Sequence, residues 1–138
     1  MATVNVTVRE AHGRRYASTG SKWEPIIGYS RAVRTGDVIT VTGTVGVNSD
    51  GSYPAGVAAQ ARRAFEILQA ALEALGGKTT DIVRTRMFVT DITQWEALGR
   101  VHGEIFGEIR PATTMVEVAK LIDKEALVEI EADAIVLK

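Results

Sequence analysis

The sequence contains no cysteine, which excludes disulfides, thiolate metal sites and thiol nucleophiles. Histidine is nearly absent as well. His12 and His102 share no spacing that would set two imidazoles on one ion, so no metal and no cofactor are expected. No apolar run approaches the roughly 20 residues that a membrane span needs. The first ten residues alternate and already carry Arg9 and Glu10, so a signal peptide is not expected either. An excess of one charge is also missing: 16 Lys and Arg against 17 Asp and Glu leave a net charge of −1. That balance provides neither a basic footprint for nucleic acid nor a polybasic patch for a membrane surface. What is present, 46% hydrophobic and 24% charged residues, is ordinary globular composition. A length of 138 residues suits a single domain, 1–138, with a cytoplasmic location expected.

Periodicity divides the chain into strands and two helices. Val4, Val6 and Val8 alternate with polar residues and read as a first strand. The stretch from Ala11 to Gly28, rich in glycine, serine and threonine, reads as one long loop, and loops of that length tend to be functional. Tyr29–Val33 and Asp37–Val45 read as strands joined by a hairpin turn at Thr35-Gly36-Asp37. Asn48-Ser49-Asp50-Gly51 is a second turn, and Pro54 is suited to a first helical position. From Val57 to Leu75 the apolar residues recur at helical spacing, and Gly76-Gly77 ends the pattern. Asp81–Thr90 is strand-like. Thr93-Gln94-Trp95-Glu96 has capping-box spacing for a second helix up to about Gly107, with Trp95, Leu98, Val101, Ile105 and Phe106 on one stripe and His102 beside them. Thr113–Ala119 and Leu127–Leu137 complete the strands. Two amphipathic helices among mostly adjacent strands predict an α+β fold with both helices on one sheet face. The other face, offering Val41, Val45, Met87, Val89, Met115 or their neighbours according to register, then needs a partner subunit.

Several segments, in this order, carry a resemblance: Gly28-Tyr29-Ser30-Arg31-Ala32-Val33, Val41-Thr42-Gly43, Ala74-Leu75-Gly76-Gly77, Phe88-Val89-Thr90-Asp91, Arg110-Pro111-Ala112-Thr113-Thr114-Met115-Val116-Glu117-Val118 and Leu127-Val128-Glu129-Ile130-Glu131-Ala132. From about Tyr29 to the C-terminus the chain resembles the Rid (YjgF-like, reactive-intermediate deaminase) family. The resemblance implies a chorismate-mutase-like α+β unit with a mixed sheet, assembled as a homotrimer around a barrel core, with small-molecule pockets between subunits. It also implies a chemistry in which an arginine forks onto the carboxylate of an enamine or imine and a glutamate helps position the attacking water.

Carried over residue by residue, the resemblance sets the glutamate at Glu129, the tyrosine at Tyr29 and the hydroxyl-glycine pair at Thr42 and Gly43. The arginine position falls on Thr113, the neighbouring cysteine on Met115, an asparagine of the second helix on Gly99 and a tyrosine on His102. Threonine cannot carry positive charge, and losing one side of a desolvated charge pair costs about 2–5 kcal/mol. The sequence therefore predicts a pocket that has lost its positive charge, in a protein that is not a standard 2-aminoacrylate deaminase but a hydrolase on another C=N or electrophilic metabolite. The alternatives are a deaminase using another arginine, Arg110 or Arg31, or a metabolite-binding module without turnover. Arg31, Arg86 and Arg110 otherwise read as surface arginines. Glu129 and Glu131 share a strand face, which Glu117 could approach. Trp23 and Glu24 read as a pocket lid contributing an aromatic wall and a carboxylate.

Overall fold

The computed structural model describes residues 3–138. It contains strands β1 (Thr7–Ala11), β2 (Arg14–Ser18), β3 (Ala32–Thr35), β4 (Val38–Val45), β5 (Ile82–Val89), β6 (Ala112–Glu117) and β7 (Val128–Ile135), with helices α1 (Val57–Ala74) and α2 (Trp95–Phe106). All seven strands form one sheet in the order β1-β2-β3-β4-β7-β5-β6. Only β5 and β6 are parallel, as expected for two strands joined through a helix.

The amino-terminal segment departs from expectation. Of the alternating Val4, Val6 and Val8 only Val8 lies in the first strand: pairing begins at Thr7, and Val8, opposite Ala17, is exposed. The predicted long loop contains β2, paired with β1 across a two-residue turn in which His12 and Gly13 both have positive φ. A hairpin with two left-handed residues normally announces itself as Asn-Gly or Asp-Gly, and His-Gly hid it. After β2 a short π-helical turn, Glu24–Gly28, leads into β3.

The helix signals are met with two corrections. Gly76, at φ 86°, and Gly77 donate their N–H groups to the Glu73 and Leu72 carbonyls, closing α1 as expected for a glycine stop. Pro54 does not open α1, which starts at Val57 after Gly56. The expected capping box is absent at α2; Asp91 instead accepts the Thr93 N–H and caps the preceding 3-10 turn.

Register decides which residues form the core. Ile39, Val41, Met87, Val89, Val128 and Ile130 face the helices and are buried with Phe65, Leu68, Leu72, Leu98 and Phe106. Val41, Met87 and Val89 therefore lie beneath the helices and not on the uncovered face. Trp95, expected on the apolar stripe of α2, is exposed. The uncovered face carries the alternate set: Val38 opposite Ile135, Phe88 opposite Val116 and Glu129, and Arg86 bridging Glu131 at 3.1 Å and Asp133 at 3.4 Å. Its apolar members are the neighbours of those anticipated, since a one-residue shift moves every side chain to the other face.

Two features lock the end of β4 against α1. A Cβ on Gly46 would lie 2.0 Å from the Gln60 carbonyl oxygen. The buried Gln60 amide bonds the Pro54 and Glu125 carbonyls and the Leu127 N–H, tying the flanking loops to α1. Gly46→Ala must push strand and helix backbones apart. It is expected to lower stability by about 1–3 kcal/mol or more, read as a shift in the urea midpoint with an unchanged slope.

Candidate functional site

The site is organised by an irregularity in β4. Val41 pairs with Ala132 and Thr44 with Ile130, so Thr42 and Gly43 together oppose Glu131 alone. This is a β-bulge, a feature common beside active sites because it re-aims side chains. Thr42 anchors it: its N–H donates to the Arg31 carbonyl at 2.9 Å, and its hydroxyl donates to the Ser30 carbonyl at 2.6 Å. Gly43 leaves the opening, since a Cβ there would lie 2.9 Å from the Glu129 carboxyl carbon. A side chain at this position would push the Glu129 carboxyl aside.

Beyond this bulge lies a cavity of about 630 Å³ lined by Glu129, Gly43, Val45, Tyr29, Arg31, Trp23 and the 47–51 and 122–123 loops, together with Tyr53 and Arg63. Burial pushes the Glu129 carboxyl above the usual glutamate value; nearby Arg31 pulls it down, and Glu131 pushes it up. A carboxylate raised in this way is a better proton acceptor than an ordinary one. Arg31 is only 6% exposed. Its Nη1 donates to the Gly43 carbonyl at 2.9 Å and to Thr44 Oγ1 at 3.3 Å, and its Nη2 to Tyr29 Oη at 3.2 Å.

Of the residues singled out in the sequence, Glu129, Tyr29, Gly43 and Trp23 meet at this cavity. Thr42 supports it from behind without lining it. Glu24 does not supply a lid carboxylate: it is buried, and Oε2 accepts the Ser21 N–H at 3.0 Å. Thr113 is at the far edge of the sheet, paired with Thr85 on the helix side, where its hydroxyl meets Thr85 Oγ1 at 2.6 Å. Thr85 Oγ1 in turn meets His102 Nε2 at 2.8 Å. His102 is buried against Phe65 and Phe106, and its burial holds the imidazole below its usual pKa. Met115 is half-buried against the core. Arg110, with φ 56°, turns back onto the Gly107 carbonyl at 3.0 Å and stays exposed. Glu117 accepts the Ile92 N–H and does not approach Glu129.

Two corrections bear on the chemistry. Arg31 is not a surface arginine, and the cavity has not lost its positive charge. Arg86 stands half-open on the uncovered face, in its carboxylate pair. The sequence also gave no sign of Tyr53, whose hydroxyl donates to Asp123 at 2.6 Å and whose pKa is raised by burial, that bond and the surrounding carboxylates. Among the described residues no group of three potential metal ligands occurs, and no helix is long and apolar enough to cross a membrane.

This architecture has known counterparts. Residues 19–136 match the family described as Endoribonuclease L-PSP, and the chain belongs to that family, the Rid/YjgF group. It is 39% identical over 111 residues to an Escherichia coli protein named 2-iminobutanoate/2-iminopropanoate deaminase, covering 78% of this chain and 86% of that one. Among solved structures it resembles a YjgF/YER057c/UK114 family member from Mycobacterium tuberculosis, with TM-score 0.82 and 48% identity over 89% of this chain and 99% of that one. The E. coli YjgF product follows at TM-score 0.73 and 39% identity, with 79% and 89% covered. The α+β, chorismate-mutase-like fold expected from the sequence is thus the family's own.

The raised carboxyl has a thermodynamic signature. The folded chain binds the Glu129 proton more tightly than the unfolded chain. Stability therefore falls as pH rises from the ordinary value of 4.5 through the higher folded value, then levels off. His102 acts in the opposite sense: its stabilisation is complete above the unfolded value of 6.5 and declines as pH falls through the lower folded value. Thermal midpoints followed across this range should lose the Glu129 step in Glu129→Gln. An identical profile in the variant would mean that the carboxyl is not buried as described.

Proposed function

We propose that this protein hydrolyses the C=N bond of a small molecule in the Glu129 cavity, releasing ammonia and leaving a carbonyl product. The observation that carries this reading is the raised Glu129 carboxyl held against Gly43 on the cavity wall, beside Tyr29 and Arg31. Glu129 accepts a proton from water as the water oxygen attacks the C=N carbon. The nitrogen of the resulting carbinolamine, protonated in turn, departs as ammonia as the C=O bond forms. Trp23 and Tyr29 provide an aromatic wall for an apolar substituent. The deaminase name carried by the E. coli relative supports 2-imino acids as the first compounds to test.

The same reading includes a homotrimer whose uncovered sheet faces form a barrel core, with a neighbour's β6 edge closing each cavity. The exposed Val38, Val116 and Ile135, together with Phe88 on the same face, support it, because such a surface is costly to leave in water. The β6 edge would bring Thr113 and Met115 to the site. A cytoplasmic location and a single domain over 1–138 remain part of this proposal.

Two measurements test it. Ammonia release from 2-iminobutanoate generated in situ should exceed the spontaneous rate and fall by about 10²-fold or more in Glu129→Gln. The acid limb of kcat/KM should lie above 4.5. Spontaneous rates for every C=N compound tried, with keto-acid binding retained, would instead make the cavity a binding site without turnover. Sedimentation equilibrium should give three chain masses, and a monomer would remove the trimer reading.

A further inference from the structure

Residues 3–6 run ahead of β1 and precede residue 19, where the match to the family begins. Extending the register in which Thr7 pairs with Ser18 would set Asn5 and Val4 against Gly20 and Ser21. The ladder stops because the facing N–H groups are engaged elsewhere. Gly20 donates to Ser18 Oγ at 3.1 Å, Ser21 to Glu24 Oε2 at 3.0 Å and Trp23 to Ser21 Oγ at 3.3 Å. Residues 3–6 consequently make no hydrogen bond among the described residues. Two valines hold them: Val6 packs against the core, and Val4 is half-buried on the cavity wall. A segment with few apolar contacts and no backbone bonds sits at the low end of local stability.

The cavity follows the strand order of the sheet. Its lining comes from Glu129 on β7, Gly43 on β4, Tyr29 ahead of β3, Trp23 beyond β2, and Thr3, Val4 and Asn5 ahead of β1. Glu129 and residues 3–6 therefore border opposite sides of one elongated space. Its volume of about 630 Å³ is typical of sites for drug-sized ligands, about 300–1,000 Å³, and exceeds what a short imino acid fills. We propose that residues 3–6 are a displaceable strap that sets the specificity of this cavity, Val4 and Trp23 receiving an apolar chain of the ligand. The inference rests on the C=N reading for the reaction at Glu129 and names its substrate class. That class is C=N compounds carrying an extended apolar chain that crosses from the β7 side to the strap. A compound as short as 2-iminobutanoate occupies the Glu129 side and does not reach Val4.

The test is equilibrium binding by calorimetry, which needs no turnover. The probes are 2-ketobutyrate and 2-ketooctanoate, which share one end and differ only in chain length. Each buried methylene strengthens binding by about fourfold, so partial burial of the added chain should favour the longer acid by on the order of tenfold or more. Val4→Asp should bring that ratio toward one. Replacing Trp95 by Phe leaves Trp23 as the sole indole. In that background 2-ketooctanoate should protect the fluorescence from acrylamide quenching, and adding Val4→Asp should remove the protection. Equal affinities in the unaltered protein, or no binding of either acid, overturn the proposal even if Val4→Asp does not fold. A chain-length preference that survives in folded Val4→Asp overturns it as well. Ammonia release, compared between the unaltered protein and Glu129→Gln, separates the two readings. A Val4-dependent chain-length preference without ammonia release from any C=N compound defeats the catalytic reading alone. Glu129-dependent release with no chain-length preference defeats this inference alone.

Discussion

The site depends on two strand residues opposing one. Because Thr42 and Gly43 face Glu131 alone, β4 kinks where it leaves the core. That kink turns the Gly43 carbonyl toward Arg31 while its bare Cα receives the Glu129 carboxyl. A regular ladder would alternate these groups across the sheet and separate the guanidinium from the carboxyl. The supports are local and strong: the Thr42 hydroxyl on the Ser30 carbonyl, the Arg31 N–H on the Ala17 carbonyl and the Thr42 N–H on the Arg31 carbonyl. The core beneath is close-packed from both helices, so the bulge sits on a rigid floor.

The electrostatics follow from that arrangement. Burial makes the Glu129 charge expensive, and Arg31 offsets part of the cost without neutralising it through a direct bond. A carboxylate that is buried, partly compensated and not ion-paired keeps its basicity; an intimate salt bridge would have depressed it. Arg86 shows the contrast: paired with Glu131 and Asp133 on the uncovered face, it is committed to the sheet itself. The opposite end of the molecule uses hydroxyls instead of charge. Thr113, Thr85 and His102 form a chain in which every link is hydrogen-bonded and burial holds the imidazole below its usual pKa, so β6 presents no cation at Thr113.

Much of the fold was legible because it rests on repeating patterns. The helical spacing from Val57, the glycines after Leu75, and the alternation along β5 and β7 each predict an element independently of the others. The β1–β2 hairpin was not legible, because His12-Gly13 lacks the usual turn residues and Arg14-Arg15 masks the strand. Nor did the alternation tell which set of side chains lies under the helices. Pattern defines two faces, but only pairing with neighbouring strands says which is covered.

For the site, it was the family resemblance that pointed to Glu129, Tyr29 and Gly43 and that set the family's arginine position on Thr113. The composition determined that no thiol takes part, since the sequence contains no cysteine. What only the tertiary structure decided is where the positive charge resides. Whether Arg31 points to water or to the cavity depends on the Gly43 carbonyl and the Thr44 hydroxyl, supplied 12 and 13 residues later at the bulge in β4. An arginine's surroundings come from the strands that close around it, and a linear pattern does not contain them.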